Sequence, residues 1–300
     1  MGTKIQPIAL RLGQSVGWKS SWQAQSDEYA DMAFRDNQLE ELMRNFLRQH
    51  GILMGDLYVQ ETINDNGSTH LILTSTFYTR KRPFLTAFKR KNNLFEIKQL
   101  NRGRRRYAKR KGFLRQYISF ALNEIIKVKT PTLIRNFLDN FDLTKNQQIS
   151  FELRLINVHK VGRSHSKKIH WARRIIKRKN PRVMRTPYSR DMYFLLHKMF
   201  LLHNTTMVGD LIATLLEKTK KHHLVLNRVE ELMKIVYEQY GEINGVRIQT
   251  KGRIAGSKRK RKRVLQVGKL SLQKIDSPIH YTCHKSVTRF GVTSIKIWLA

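Results

Sequence analysis

Acidic side chains are what this sequence has least of for its size: 22 Asp and Glu stand against 58 Lys and Arg, leaving a formal net charge of +36 on 300 residues. Such a field repels itself in a compact chain and gives nothing to an enzyme of small molecules. Cysteine is nearly missing too. The single Cys283 excludes an intramolecular disulfide and fits a reducing compartment. Apolar residues make up 40% of the chain, enough for cores but below the usual range of about 45–50%. No apolar run approaches the roughly 18–20 residues that cross a bilayer, and no basic cluster flanks an apolar helix, so no membrane partner is expected. The N-terminus lacks a secretory h-region and a long Arg/Ser-rich leader, so a targeting segment is expected to be missing or already removed. What remains is a polyanion that stays bound. Neutralised phosphates release counterions, and that makes nucleic acid the expected partner.

Catalytic signatures are missing as well. The sequence holds no phosphate-loop Gly-Lys-Thr/Ser, no G-x-S-x-G elbow and no H-E-x-x-H. Asp27, Glu28 and Asp31, the pair Glu40-Glu41 and the pair Glu230-Glu231 read as acids near helix N-termini, where the macrodipole favours them. His280, Cys283 and His284 lie close together, but on a strand Cys283 points away from the two histidines, and zinc needs four convergent ligands. His222 and His223 read as a surface pair. No catalytic residue, metal or cofactor is expected. Glycines recur four apart (Gly13/Gly17, Gly51/Gly55, Gly241/Gly245, Gly252/Gly256), never as the G-x-x-G that clamps RNA in a KH module.

Basic blocks dominate what is present. Arg80-Lys81-Arg82, Lys89-Arg90-Lys91 and the run from Arg102 through Arg104-Arg105-Arg106 to Lys109-Arg110-Lys111 carry Phe84, Phe88, Phe95 and Tyr107 between them. A second block holds Lys167-Lys168, Arg173-Arg174 and Lys177-Arg178-Lys179, broken by Pro181 and Pro187. Separated recurrence of this kind reads as a phosphate-binding surface rather than a solvated tail; the aromatics read as small anchors before base platforms.

Between the blocks the periodicities are ordinary. Helical spacing starts near Asn37, a candidate cap, and runs through Leu39, Leu42, Met43, Phe46 and Leu47 to Gly51. Strands are predicted at Leu57–Ile63 and Thr69–Phe77 around an Asp65-Asn66-Gly67 turn, a helix over Phe113–Lys127, and a strand over Ile149–Val158. Two amphipathic helices follow, on Val208, Leu211, Ile212 and Leu215 and on Val225, Val229, Leu232, Met233 and Val236. Four strands close the chain: Val246–Lys251, Val264–Gln273, Ile279–Lys285 and Val292–Leu299. Segregated helices and strands give an α+β fold. The expected organisation is an arm over 1–36 anchored by Trp18 and Trp22, a domain over 37–160 with a basic insertion at 80–112, a basic linker over 161–204 and an α+β domain over 205–300.

Two stretches carry a resemblance. The opening Met1-Gly2-Thr3-Lys4-Ile5-Gln6-Pro7-Ile8-Ala9-Leu10-Arg11-Leu12-Gly13 and the later Gly245-Val246-Arg247-Ile248-Gln249-Thr250-Lys251-Gly252-Arg253-Ile254-Ala255-Gly256, with Gly268-Lys269-Leu270 and Phe290-Gly291-Val292, stand in register at opposite ends. In these the chain resembles the universal third protein of the small ribosomal subunit. That resemblance implies a KH-like (type II) N-terminal domain, here without its G-x-x-G loop, and a C-terminal domain of two helices on an antiparallel sheet. It implies a non-enzymatic constituent of the subunit head, bound to small-subunit rRNA and neighbouring head proteins and facing mRNA where it enters. A basic pair on the second C-terminal helix would fall at Asn227 and Arg228; only Arg228 keeps the charge, and Glu231 stands where a lysine would be. The drifted, Lys/Asn/Ile/Leu-rich middle resembles an organelle-encoded member, expected in the mitochondrial matrix, with a plastid or bacterial cytoplasm as the alternative.

Phosphate contacts are accordingly expected from Lys4 and Arg11, from Arg80, Lys81 and Arg82, and from Arg104 to Arg106 with Lys109, Arg110 and Lys111. Others are expected from Arg173, Arg174, Lys177 and Arg178, then from Arg253 and the run Lys258, Arg259, Lys260, Arg261, Lys262 and Arg263. The rival readings are an intron-encoded nuclease or maturase, which needs clustered carboxylates around a metal, and a free regulator that reads bases.

Overall fold

The structure, a computed structural model, describes residues 5–63, 69–79, 120, 122–142, 149–158, 187–239 and 244–300. The basic block at 80–112, the Asp65–Gly67 turn, Lys4 and the stretch 159–186 lie outside them. The chain divides into two compact units, one over Ser20–Ile156 and one joining Met1–Lys19 to Asn157–Ala300. Both mix helices and antiparallel sheet, so the α+β class holds.

In the unit over Ser20–Ile156, a helix spans Tyr29–Gln49 (α2; a five-residue α1 at Pro7–Arg11 precedes it). Leu39, Met43 and Leu47 recur at three- and four-residue spacing and are fully buried. Gly51, at φ 74°, ends the helix and turns the chain into strand β2. Strands β2 (Ile52–Ile63) and β3 (Thr69–Thr79) pair antiparallel from Ile52↔Thr79 to Ile63↔Thr69, with a bulge between Met54 and Leu57. β1 (Ser20–Ser21) runs parallel along β2, and β4 (Ile149–Asn157) completes the order β1-β2-β3-β4. A wide helical turn at Glu124–Lys129 leads into α3 (Thr130–Asp142), whose Ile134 and Leu138 join the core under α2.

Two expectations for this unit need correction. The helix begins at Tyr29, so Asn37 is interior rather than a cap, and the last eight residues of the expected arm are helical. The reason is a buried polar network that no periodicity shows. Arg35, 1% exposed, bonds Asp36 and reaches Glu61 on β2 at 2.9 Å, while Trp22 Nε1 donates to Asp36 at 2.8 Å. Trp22 is thus an anchor. Trp18, 69% exposed, is not.

In the other unit, α5 (Thr206–Lys218) and α6 (His222–Tyr237) cover one face of a sheet of order β6-β5-β8-β7, and α4 (Pro187–Leu202) packs on both helices. The strands are β5 (Gly245–Gly252), β6 (Arg261–Gly268), β7 (His280–Thr288) and β8 (Gly291–Leu299), all antiparallel neighbours. Val246, Ile248, Ile295, Ile297 and Leu299 are fully buried on the helix side. α5 is buried from Thr206 to Leu216 and lies along β7: Ser286 Oγ donates to the Ala213 carbonyl at 3.0 Å, and His284 Nδ1 meets Asp210 Oδ1 at 3.0 Å. Gly209 makes that approach possible, since a Cβ there would sit 2.1 Å from His284 Cδ2.

α4 corrects the expected linker over 161–204. Met192 to Phe200 is buried without a polar face, and Pro187, read as a break, is the first residue of the helix, where its missing N–H costs nothing.

Candidate nucleic-acid interface

The described part of the basic surface centres on the connection from β5 to β6. Gly252 and Arg253 leave the strand, a single tight turn occupies Ile254–Gly256, and the chain re-enters β6 at Arg261. Ala255 and Gly256 carry positive φ, 55° and 78°. Two contacts fix them. The Ala255 N–H donates to His222 Nδ1 at 3.1 Å, and the Phe290 ring lies 3.0 Å from where a Gly256 Cβ would stand. Arg253 Nε donates to the Ser257 carbonyl and Ser257 Oγ to the Arg259 carbonyl, at 3.1 and 2.7 Å. The turn is rigid at its base, so Lys258, Arg259, Lys260, Arg261 and Lys262 project, all exposed, from a defined position. Fixed cations of this kind hold a phosphate backbone without reading sequence.

Arg263, the sixth of the run, folds back instead. Its Nη2 meets Asn227 Oδ1 at 2.6 Å and Glu230 Oε2 at 3.1 Å on α6. Lys234 first, and Arg263 after it, hold the Glu230 carboxyl below the usual carboxylate range. Arg228 is engaged on the same helix, 2.8 Å from Glu231. The β7–β8 turn adds a basic residue that the sequence reading missed: Arg289 stacks over Phe290 with 4.9 Å to the ring centre. Its only sequence signal is an Arg-Phe-Gly at a strand end, too short to separate from an ordinary turn.

Arg11 leaves the phosphate-binding set. It is fully buried, and its guanidinium donates to the carbonyls of Pro7, Leu272, Lys274 and Ser277 at 2.5–3.0 Å. Arginine's planar fork suits such a carbonyl cage, and the arm is thereby clasped to the 272–277 loop. His222 also departs from its expected place. It is 1% exposed, T-shaped against Phe290, and burial holds its pKa below 6.5; His223 alone is at the surface. Of the remaining expected contacts, Lys4, Arg80 to Arg82, Arg104 to Lys111 and Arg173 to Arg178 lie outside the described residues. His280 stacks on His203, His284 faces Asp210 and Cys283 is exposed, and among the described residues no group of three or more potential ligands could hold a metal.

Comparison with known proteins gives this geometry a setting. Residues 212–299, from α5 to the end of β8, match the family described as ribosomal protein S3, C-terminal domain. The chain is 33% identical over 94 residues to the small ribosomal subunit protein uS3c of Chara vulgaris, a match spanning 31% of this chain and 41% of that protein. Over 299 residues it is 20% identical to uS3c of Sorghum bicolor, spanning 100% of this chain and 98% of the relative. A third relative, uS3 of Aquifex pyrophilus, is 40% identical over 55 residues, 18% of this chain and 24% of the relative. This is a family of ribosomal proteins and not of enzymes. Residues 212–299 thus form a domain of the ribosomal protein S3 C-terminal family, and over its whole length the chain is similar to uS3c proteins.

Proposed function

We propose that the chain is a structural constituent of the small subunit of an organellar ribosome, held in the subunit head by phosphate contacts to rRNA. The observation that carries this reading is the coincidence of two facts on the same residues. The stretch matching the S3 C-terminal domain includes the β5–β6 turn, and there five exposed cations project from a base fixed by His222 and Phe290. The family supplies the RNA; the geometry supplies the means of holding it. The N-terminal domain is KH-like in this proposal, supported by its described order of helix, two strands, helix and strand. The missing G-x-x-G leaves rRNA binding there to the basic segments. Domain limits follow the same proposal: arm, KH-like domain over 37–160 extended back to Tyr29, and a C-terminal domain that takes in α4.

The relatives named uS3c favour an organellar ribosome, and the mitochondrial assignment expected from composition has no support among relatives of the uS3c and bacterial uS3 kinds. Neighbouring head proteins and mRNA at its entrance complete the proposed partners. At that entrance Arg228 is spent on Glu231, so its grip on mRNA is weak and any strand-separating role is reduced.

Sucrose-gradient fractionation of native extract tests the proposal. The chain is expected to co-migrate with small-subunit particles through a high-salt wash. A chain found only as free protein sinks it.

A further inference from the structure

The sheet of the C-terminal unit has a second face, turned away from its helices. Alternation along the strands puts Arg247, Gln249 and Lys251 on it from β5, and register then sets their neighbours. Arg247 stands opposite Trp298 on β8, and Trp298 opposite Tyr281 on β7. One row on is Gln249, Lys296 and Cys283; the next is Lys251, Ser294 and Lys285. The first row is layered. The Arg247 guanidinium lies 5.5 Å from the Trp298 ring centre, and the Tyr281 ring lies 5.3 Å away on the other side, tilted by 47°.

Three features of this face are unusual together. All three side chains of the layered row are half-buried, yet Arg247 Nε meets no hydrogen-bond partner among the described residues. No Asp or Glu occurs anywhere in the four strands. The lysines of the following rows, Lys296, Lys251 and Lys285, form no ion pair with any described residue. A sheet face made to hold a helix would be aliphatic, as its reverse side is; this face carries aliphatic side chains only at Val264, opposite Gln249, and at the far end, where Val287 meets Val292. Aromatics on adjacent strands with cations in the next rows suit a chain of unpaired bases joined by phosphates, because every base has a face to stack and every phosphate a charge to meet.

We propose that this face is a second RNA-binding surface, distinct from the β5–β6 turn, which stacks unpaired nucleotides on the Arg247–Trp298–Tyr281 row and neutralises their phosphates with Lys296, Lys251 and Lys285. The proposal rests on the ribosomal reading for the identity of the polyanion. It differs from it in chemistry: the turn holds phosphates alone, whereas this face requires bases.

The test compares the full chain's affinity for an oligouridylate with that for an abasic strand of equal length, at one fixed high salt concentration. The base-bearing strand is expected to bind about tenfold more tightly, and ultraviolet cross-linking is expected to mark peptides of β7 or β8. Trp298→Leu with Tyr281→Leu should bring the ratio close to one, while Arg259→Gln with Lys260→Gln should weaken both strands and keep the ratio. Leucines on a sheet can disturb folding, so Lys285→Gln with Lys296→Gln serves as a second variant, expected to lower affinity for both strands with circular dichroism unchanged. Equal affinity for the two strands in the unaltered chain overturns the proposal, as does a ratio that survives the loss of both rings in a folded variant. Lysine-directed cross-linking of purified particles that joins Lys285 or Lys296 to a neighbouring protein overturns it too. A chain that co-migrates with small subunits but shows a ratio of one sinks this inference and leaves the ribosomal reading standing. A base preference in a chain missing from ribosomes does the reverse.

Discussion

Arg11 and Gly209 show how single residues in this chain do work that their type does not announce. An arginine in a protein of net charge +36 invites assignment to RNA, yet Arg11 is fully buried and gives its hydrogen bonds to backbone carbonyls. Gly209 is the fourth residue of α5, within the helix, where glycine costs up to about 1 kcal/mol against alanine. It is there because the His284 ring occupies the space a methyl would need. Gly209→Ala should therefore destabilise the chain by about 1–3 kcal/mol through overpacking, despite the better helix former. His284→Ala in the same chain should recover part of the loss. A urea-denaturation cycle measures this, and strictly additive effects would disconnect the two residues. His197 makes a pH prediction. Burial first, and the neighbouring Lys198 charge after it, lower its pKa from 6.5 to about 4. The folded chain therefore resists protonation that the unfolded chain accepts. Stability from this group is complete above pH 6.5 and is lost as pH falls toward 4, by up to about 3 kcal/mol. His197→Phe should flatten the stability profile across that window, and a profile as steep as before would assign the slope to other groups.

At the scale of elements, what could be read from the sequence followed from period. β2, β3, β4 and the four closing strands came from alternation and β-branched runs, and α5 and α6 from clean apolar stripes. α4 and α3 escaped for opposite reasons. α4 is buried on every side from Met192 to Phe200, His197 and Lys198 included, so it has no polar stripe to count against, and its basic approach and Pro187 mimic a linker. α3 starts at Thr130-Pro131 directly after a wide turn, so its proline reads as an ending when it is a beginning. The candidate site shows the same division. Exposed cations at Lys258 to Lys262 were legible as a charge run. The withdrawal of Arg11 and Arg263 depended on loops and helices distant in sequence, and no local pattern encodes that. Leu196, fully buried on α4, separates core from linker. Leu196→Ala should cost about 2–5 kcal/mol and lower the denaturation midpoint; a linker residue would leave the midpoint where it was.

At the scale of the whole molecule, the excess of positive charge is a statement about how affinity must depend on salt. Binding through released counterions weakens linearly in log–log terms, by about 0.7–0.9 units of slope for each phosphate neutralised. The β5–β6 turn presents five free cations, whereas Arg263 beside them is engaged by Glu230 and Asn227. Replacing Lys258 to Lys262 with glutamine should therefore reduce the slope for rRNA fragments by about 3–5 units. Replacing Arg263 alone should change it little while freeing Glu230, because its charge is already met within the protein. A surface that bound RNA through general electrostatic attraction would lose slope about equally at all six positions, since each removes one unit of net charge. Unequal loss, five positions against one, is the signature of a folded turn that selects which of its cations reach the phosphates.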